Sequence, residues 1–187
     1  SDLNVSMSSS ELKDLAFLYP DANGSGTFNG TVKGQITKPV LEGEFTLKNH
    51  TYRQWTIQEA GGGVRLDLAA ENAALRNVSV KQGNSEILVT GTSAFSGSPV
   101  DLRVQSSRVE AQDIQPYITS INRKIGGVFG GDIRVSSLTP TMRVEGDVRA
   151  ENLSVDDRLI GTASGHVRYA EPVVELDQLT IRQAGSV

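Results

Sequence analysis

The sequence predicts an all-β fold: an extended, curled, antiparallel-rich sheet, a β-taco or half-pipe groove. It is read as two tandem repeats of roughly 100 residues, each with one short helix. Three observations point there. Apolar and polar residues alternate with period two along most of the chain, which sends alternate side chains to opposite faces of a strand. The composition is turn-rich and poor in large rings, with Gly 19 of 187 residues and 5% aromatic, which suits a sheet with one wet face. The stretch Gly26–Asn49 recurs as Gly127–Asn152. Gly26, Phe28, Gly30, Val32 and Pro39 match Gly127, Phe129, Gly131, Ile133 and Pro140 at an offset of 101. Gly43 and Asn49 match Gly146 and Asn152 at 103, so the second copy gains two residues at its turn.

Taken in order, residues 2–9 read as a strand in which Leu3 and Val5 alternate with polar neighbours. Leu12, Leu15, Ala16 and Tyr19 then fall at helical spacing, with Ser10 as N-cap and Pro20 as stop. Phe28, Gly30, Val32, Gly34 and Ile36 share one face of the next strand, opposite Thr27, Asn29, Thr31, Lys33 and Gln35. Lys38-Pro39 reads as a turn, and Leu41, Phe45 and Leu47 continue the apolar face. Asn49-His50 reads as another turn, and 52–57 as a third strand containing Trp55, a core anchor or a membrane-interface residue. Gly61-Gly62-Gly63 marks a hinge or bulge. Val64, Leu66 and Leu68 alternate with Arg65 and Asp67. Two further strands, 75–80 and 86–91, flank a Gly83-Asn84 turn.

The second unit begins near Val100, where Val100, Leu102 and Val104 alternate with charged or polar residues. Asp113–Ile121 reads as a helix with Ile114, Tyr117, Ile118 and Ile121 on one face, ended by Gly126-Gly127. Strands are expected at 128–136, 141–150, 153–160, 164–170 and 173–182. The repeats are placed at 1–98 and 99–187, the second truncated, within one continuous elongated domain. Both ends of the chain fall in strand-like pattern, which reads as a segment of a longer repetitive protein.

Several chemistries are excluded. The net charge is −4 and Lys and Arg are scattered, whereas nucleic-acid binding needs a concentrated basic surface. Cysteine is absent, so there are no disulfides or thiolate metal sites. No apolar run approaches the ~18 residues of a membrane-spanning helix. His50 and His166 lack metal-ligand spacing and read as turn or outer-face residues. Asp156-Asp157 reads as a turn rather than a catalytic carboxylate pair. The glycine triplet lacks the Lys-Ser/Thr ending of a phosphate loop, and no Gly-x-Ser-x-Gly elbow occurs. No catalytic residue, metal or cofactor is expected, and the protein reads as non-enzymatic.

A sheet with one apolar face must cover that face. Two solutions are open. The sheet folds on itself as a closed, dry structural or adhesive β-solenoid spacer, or it curls without closing and leaves a trough for acyl chains. The candidate lining in the first unit is Phe28, Val32, Ile36, Leu41, Phe45, Leu47, Val64, Leu66 and Leu68. In the second it is Phe129, Ile133, Val135, Met142, Val144, Val148, Val167 and Tyr169.

The order of the parts resembles the TamB family and the wider AsmA-like group of bridge-like envelope proteins. The resemblance lies in Asp113-Ile-Gln-Pro-Tyr-Ile118, Gly126-Gly-Val-Phe-Gly-Gly-Asp-Ile-Arg-Val135 and the segment from Thr139 to Val155. Ile160-Gly-Thr-Ala-Ser-Gly-His-Val-Arg-Tyr169 and Leu176-Asp-Gln-Leu-Thr-Ile181 follow, and the first copy carries weaker counterparts. The resemblance implies a long curled sheet with an apolar inside. It implies an inner-membrane anchor outside this chain, a periplasmic location and an outer-membrane partner of the Omp85 class. It also implies a role in moving phospholipid or assembling outer-membrane proteins.

Overall fold

Each alternating run becomes a strand, and each strand pairs antiparallel with the next. The computed structural model describes residues 3–11, 23–35, 37–52, 55–115, 123–138, 140–170 and 173–183. Within them lie β1 (Leu3–Ser9), β2 (Ser25–Gln35), β3 (Lys38–Tyr52), β4 (Trp55–Asp67), β5 (Asn72–Gln82) and β6 (Ser85–Ala94). β7 (Val100–Glu110), a single helical turn α1 (Ala111–Ile114), β8 (Ile125–Ser137), β9 (Arg143–Val155), β10 (Arg158–Ala170) and β11 (Val173–Gln183) complete it. The eleven strands form one open sheet in strict sequence order, so every hairpin is a nearest-neighbour pairing. All extensive contacts between described strands are between sequence neighbours, and α1 rests against β7 and β8. The sheet is one layer.

Opposed residues of an antiparallel pair project from the same face, so the register shows what that face carries. One row runs Val5, Gly30, Gly43, Val64, Leu75, Gly91, Leu102, Val135, Val144, Tyr169 and Val174. It crosses all eleven strands without a charged residue. The opposite face carries Thr27, Asn29, Lys33, Glu42, Arg65, Arg103, Asp132, Glu145, Arg168 and similar residues on alternate positions.

The register slips on β5, β7, β9 and β11, whereas β3 keeps one register with both neighbours. Asn49 in β3, Asn77 in β5, Asn152 in β9 and Gln178 in β11 all have left-handed backbone, with φ of 51°, 48°, 52° and 53°. β7 slips register between Ser106 and Val109. An extra residue in one strand bends it and increases its twist. Devices repeated on strands of the same direction bend the sheet cumulatively. Asn tolerates this conformation better than other residues with a Cβ.

Several elements differ from the sequence reading. Asn49 and His50 do not make a turn: β3 continues through them to Tyr52, and the reversal to β4 falls at 53–54, outside the described residues. The expected strand 52–57 is therefore a hairpin end, and Asn49 lies within a strand, left-handed but without a change of register. The side chain of Trp55 lies outside the described residues. Likewise the expected strand 153–160 is the junction of β9 and β10, reversed by Asp156 (φ 49°) and Asp157 (φ 63°). Two left-handed residues are what a tight hairpin turn requires. Gly126-Gly127 opens β8 instead of ending a helix. The expected helix Asp113–Ile121 overlaps α1 only at Asp113 and Ile114, and 116–122 lie outside the described residues, as does 12–19 of the first expected helix. Gly61–Gly63 is not itself the bulge: β4 runs in regular register with β3 through it, and the slip against β5 places the extra residue on β5 beside Asn77.

The hairpins β2–β3 and β8–β9 carry the repeated stretch, yet their registers differ. Gly30 faces Gly43, whereas Gly131 faces Val148 and Gly146 faces Ile133. The slip is by two residues, the length gained at the second turn. An even slip leaves every side chain on its original face.

A left-handed Asn predicts a substitution effect. Asn152→Val forces a β-branched residue into that conformation and should cost about 1–2 kcal/mol in urea unfolding. Asn152→Gly should change stability by only a few tenths of that range. Equal loss in both variants would assign the cost to the Asn side chain instead of its backbone.

Candidate functional site

The apolar face is built row by row from alternation. Beside the row already described, Met7, Phe28, Phe45 and Gly62 align across β1 to β4. Val89, Val104, Ile133, Gly146, Val167 and Leu176 align across β6 to β11. The Phe28 and Phe45 pair opposes the close approach of Gly30 and Gly43. A Cβ on Gly30 would lie 2.7 Å from the Phe28 ring and 2.8 Å from the Gly43 Cα, so the ring covers the bare backbone there.

Burial along the face is uneven in an informative way. Val64, Val78, Val100 and Val135 in the middle of the sheet are buried, although no second layer of described strands packs on them. Among the described residues their neighbours are those of the same face, as in a sheet that curls toward its apolar side. At the β11 edge Val174, Leu176, Leu179 and Ile181 are each at least 50% exposed. Among the described residues no large side chain is fully buried. The chain exposes 12248 Å², against about 8,700 Å² expected for a compact globular protein of its 20.0 kDa. Over β6 to β9 the face holds a dimple of ≈ 150 Å³ with Gly131 among its lining, beside Ile87, Val104, Phe129, Ile133 and Val148.

Fourteen of the seventeen candidate residues share this one face. They are Phe28, Val32, Leu41, Phe45, Leu47, Val64 and Leu66 from β2 to β4, and Phe129, Ile133, Val135, Val144, Val148, Val167 and Tyr169 from β8 to β10. Two are corrected: Leu68 lies in the turn after β4 and Met142 just before β9, both exposed at strand ends where pairing no longer fixes direction. Ile36 lies outside the described residues. Sequence reasoning missed the middle of the face, notably Leu75, Val78, Val80, Ile87 and Val89, and the whole of β11. Leu75 and Val78 are three apart, as are Leu176 and Leu179, so strict alternation assigns them to opposite faces. The left-handed Asn77 and Gln178 restore them to one.

The other face is a lattice of exposed ion pairs. Arg134 holds Asp101 at 2.7 and 2.9 Å, and Arg103 holds Asp132. These diagonal pairs relieve the direct opposition of Arg103 and Arg134. Arg76 on β5 reaches across β4 to Glu42 on β3 at 2.9 Å, over Gly63, where a Cβ would crowd its side chain at 3.1 Å. Arg168 bridges Glu145 at 3.0 Å and Asp177 at 2.6 Å. Each such pair contributes little to stability. Together they keep this face wet, and the Arg168 guanidinium, followed by His166, holds the Glu145 carboxyl below its usual range.

The two histidines part company. His50 is buried within β3, not in a turn, and its Nδ1 lies 2.9 Å from the Asn23 carbonyl. His166 sits on the wet face of β10 as expected, 2.8 Å from Asp147 and 3.2 Å from Glu145. Among the described residues no cluster of His, Asp and Glu could hold a metal ion, and no helix is long and apolar enough to cross a membrane.

Asp147, and next Glu145, raise the His166 pKa above its ordinary value. A raised pKa stabilises the fold below the unfolded-state value of about 6.5. That contribution disappears as pH rises through the higher folded value. NMR titration of the His166 ring should give a pKa above that of a free imidazole, and Asp147→Asn should bring it down. A wild-type ring titrating at the ordinary value would contradict this arrangement.

No protein-family model, curated protein or solved structure matches the chain.

Proposed function

We propose that the chain is a non-enzymatic segment of a periplasmic, envelope-spanning translocation and assembly factor. Its apolar groove carries phospholipid acyl chains between inner and outer membrane, supports outer-membrane protein assembly, or does both. The observation that carries this reading is the apolar face continuing across eleven strands with no second layer of described strands packed on it. An unbranched aliphatic chain on such a face gains about 0.8 kcal/mol per buried methylene. The attraction has no direction, so it opposes escape into water without fixing the chain at one point. The sequence resemblance to the TamB family supplies the rest: an inner-membrane anchor outside this chain and an Omp85-class barrel as outer-membrane partner. The rival reading, a closed dry spacer, needs strands packed across a filled interior, and extensive contacts of that kind are absent among the described strands.

Native mass spectrometry of the purified protein should detect co-purifying phospholipid, and photo-crosslinkers at Phe45 and Val148 should capture it. In the full-length protein, Phe45→Asp or Val148→Asp should block lipid passage, because one carboxylate on the face costs several methylenes' worth of attraction. Normal passage through folded variants of this kind would sink the trough.

A further inference from the structure

Among the described residues β11 is bonded on one side only, to β10. All of its residues are exposed. An edge strand is a template for a further strand, and proteins ordinarily blunt it with lysine, proline, shortness or a bulge. β11 is 11 residues long and holds neither lysine nor proline. It does hold a bulge, and the bulge is its centre of symmetry. Gln178 is left-handed, and Gln178 with Leu179 fills the single position between the pairs Thr180–Ser164 and Asp177–His166.

Counted outward from that position, the two arms of β11 match. Asp177 and Thr180 come first, on the wet face. Leu176 and Ile181 come second, on the apolar face, and Glu175 and Arg182 third, on the wet face. In an antiparallel pair with a two-fold axis through the bulge, each arm lies against the opposite arm of the second copy. Leu176 then meets Ile181 and Glu175 meets Arg182, each of them twice. Glu175 already interacts with Arg168 across β10, so in the pair it stands between two guanidinium groups. The axis is normal to the sheet, which puts both apolar faces on the same side. We propose that β11 is a self-association edge, where two copies of this chain pair antiparallel about Gln178 and Leu179 and join their apolar faces. Such a pairing is isologous and closes at two copies. It does not depend on what the apolar face carries.

Sedimentation velocity across a concentration series should show a discrete dimer. Arg182→Glu sets like charges together at both ends of the interface. It should raise the dissociation constant about 25-fold, roughly fivefold for each of two exposed pairs. Glu175→Arg should weaken the dimer in the same way, and mixing the two single variants should restore it as a heterodimer. Unshifted resonances of Val64 and Val135 confirm that the variants are folded. The chain has no cysteine, so Leu179→Cys adds its only thiol. Lying on the axis, it should oxidise to a disulfide-linked dimer, whereas Met7→Cys on the opposite edge strand β1 should not. A monomer at every concentration overturns the proposal. A dimer indifferent to both charge variants overturns the two-fold register. Open-ended growth indifferent to both variants overturns it in favour of head-to-tail pairing of β11 with β1.

Discussion

An apolar sheet face on which no second layer of described strands packs is the constraint on which the rest of this structure depends. Sheets ordinarily bury such a face against helices or another sheet. Here eleven strands lie side by side in sequence order, and among the described elements extensive contacts run only between sequence neighbours and from the short turn α1 to β7 and β8. Among the described residues the face is shielded by its own neighbours, which is effective in the middle, at Val64 and Val135, and fails at the β11 edge. A flat sheet of this composition would expose the middle as fully as the edge.

Curvature is the response, and it is built from single residues. Left-handed Asn49, Asn77, Asn152 and Gln178 sit on strands that run in the same direction. Close backbone approach at Gly30 and Gly43 lets Phe28 fold down over its own strand. These local departures from regular geometry weaken individual strands, yet they turn the apolar rows toward one another. The wet face complements this with diagonal and strand-skipping ion pairs, such as Arg76 to Glu42, which follow the bent surface where direct cross-strand pairs would set like charges opposite each other.

The two faces differ in kind. Along the rows, attraction scales with buried area and has no direction. On the wet face charge is fixed in pairs, as where Arg168 bridges Glu145 and Asp177.

The sequence alone determined the class of the fold and most of one face. Period-two alternation names strands and sides wherever it is strict, which is why Phe28 to Leu66 and Phe129 to Tyr169 were legible as a single lining. The turns of the repeated stretch were less legible: Lys38 and Pro39, read as a turn, pair with Gln35 and Gly34 at the start of β3. The tertiary structure decided where alternation breaks. Asn49 looks like a turn residue in a sequence, because Asn tolerates the left-handed backbone that turns use, and alternation carries no sign of the extra residue at Asn77. Only pairing to neighbouring strands reveals both, and with it the continuity of Leu75 with Val78 and of Leu176 with Leu179. Openness was likewise undetermined by pattern. A closed sandwich and an open curl require the same alternating residues, and they differ only in whether distant strands meet.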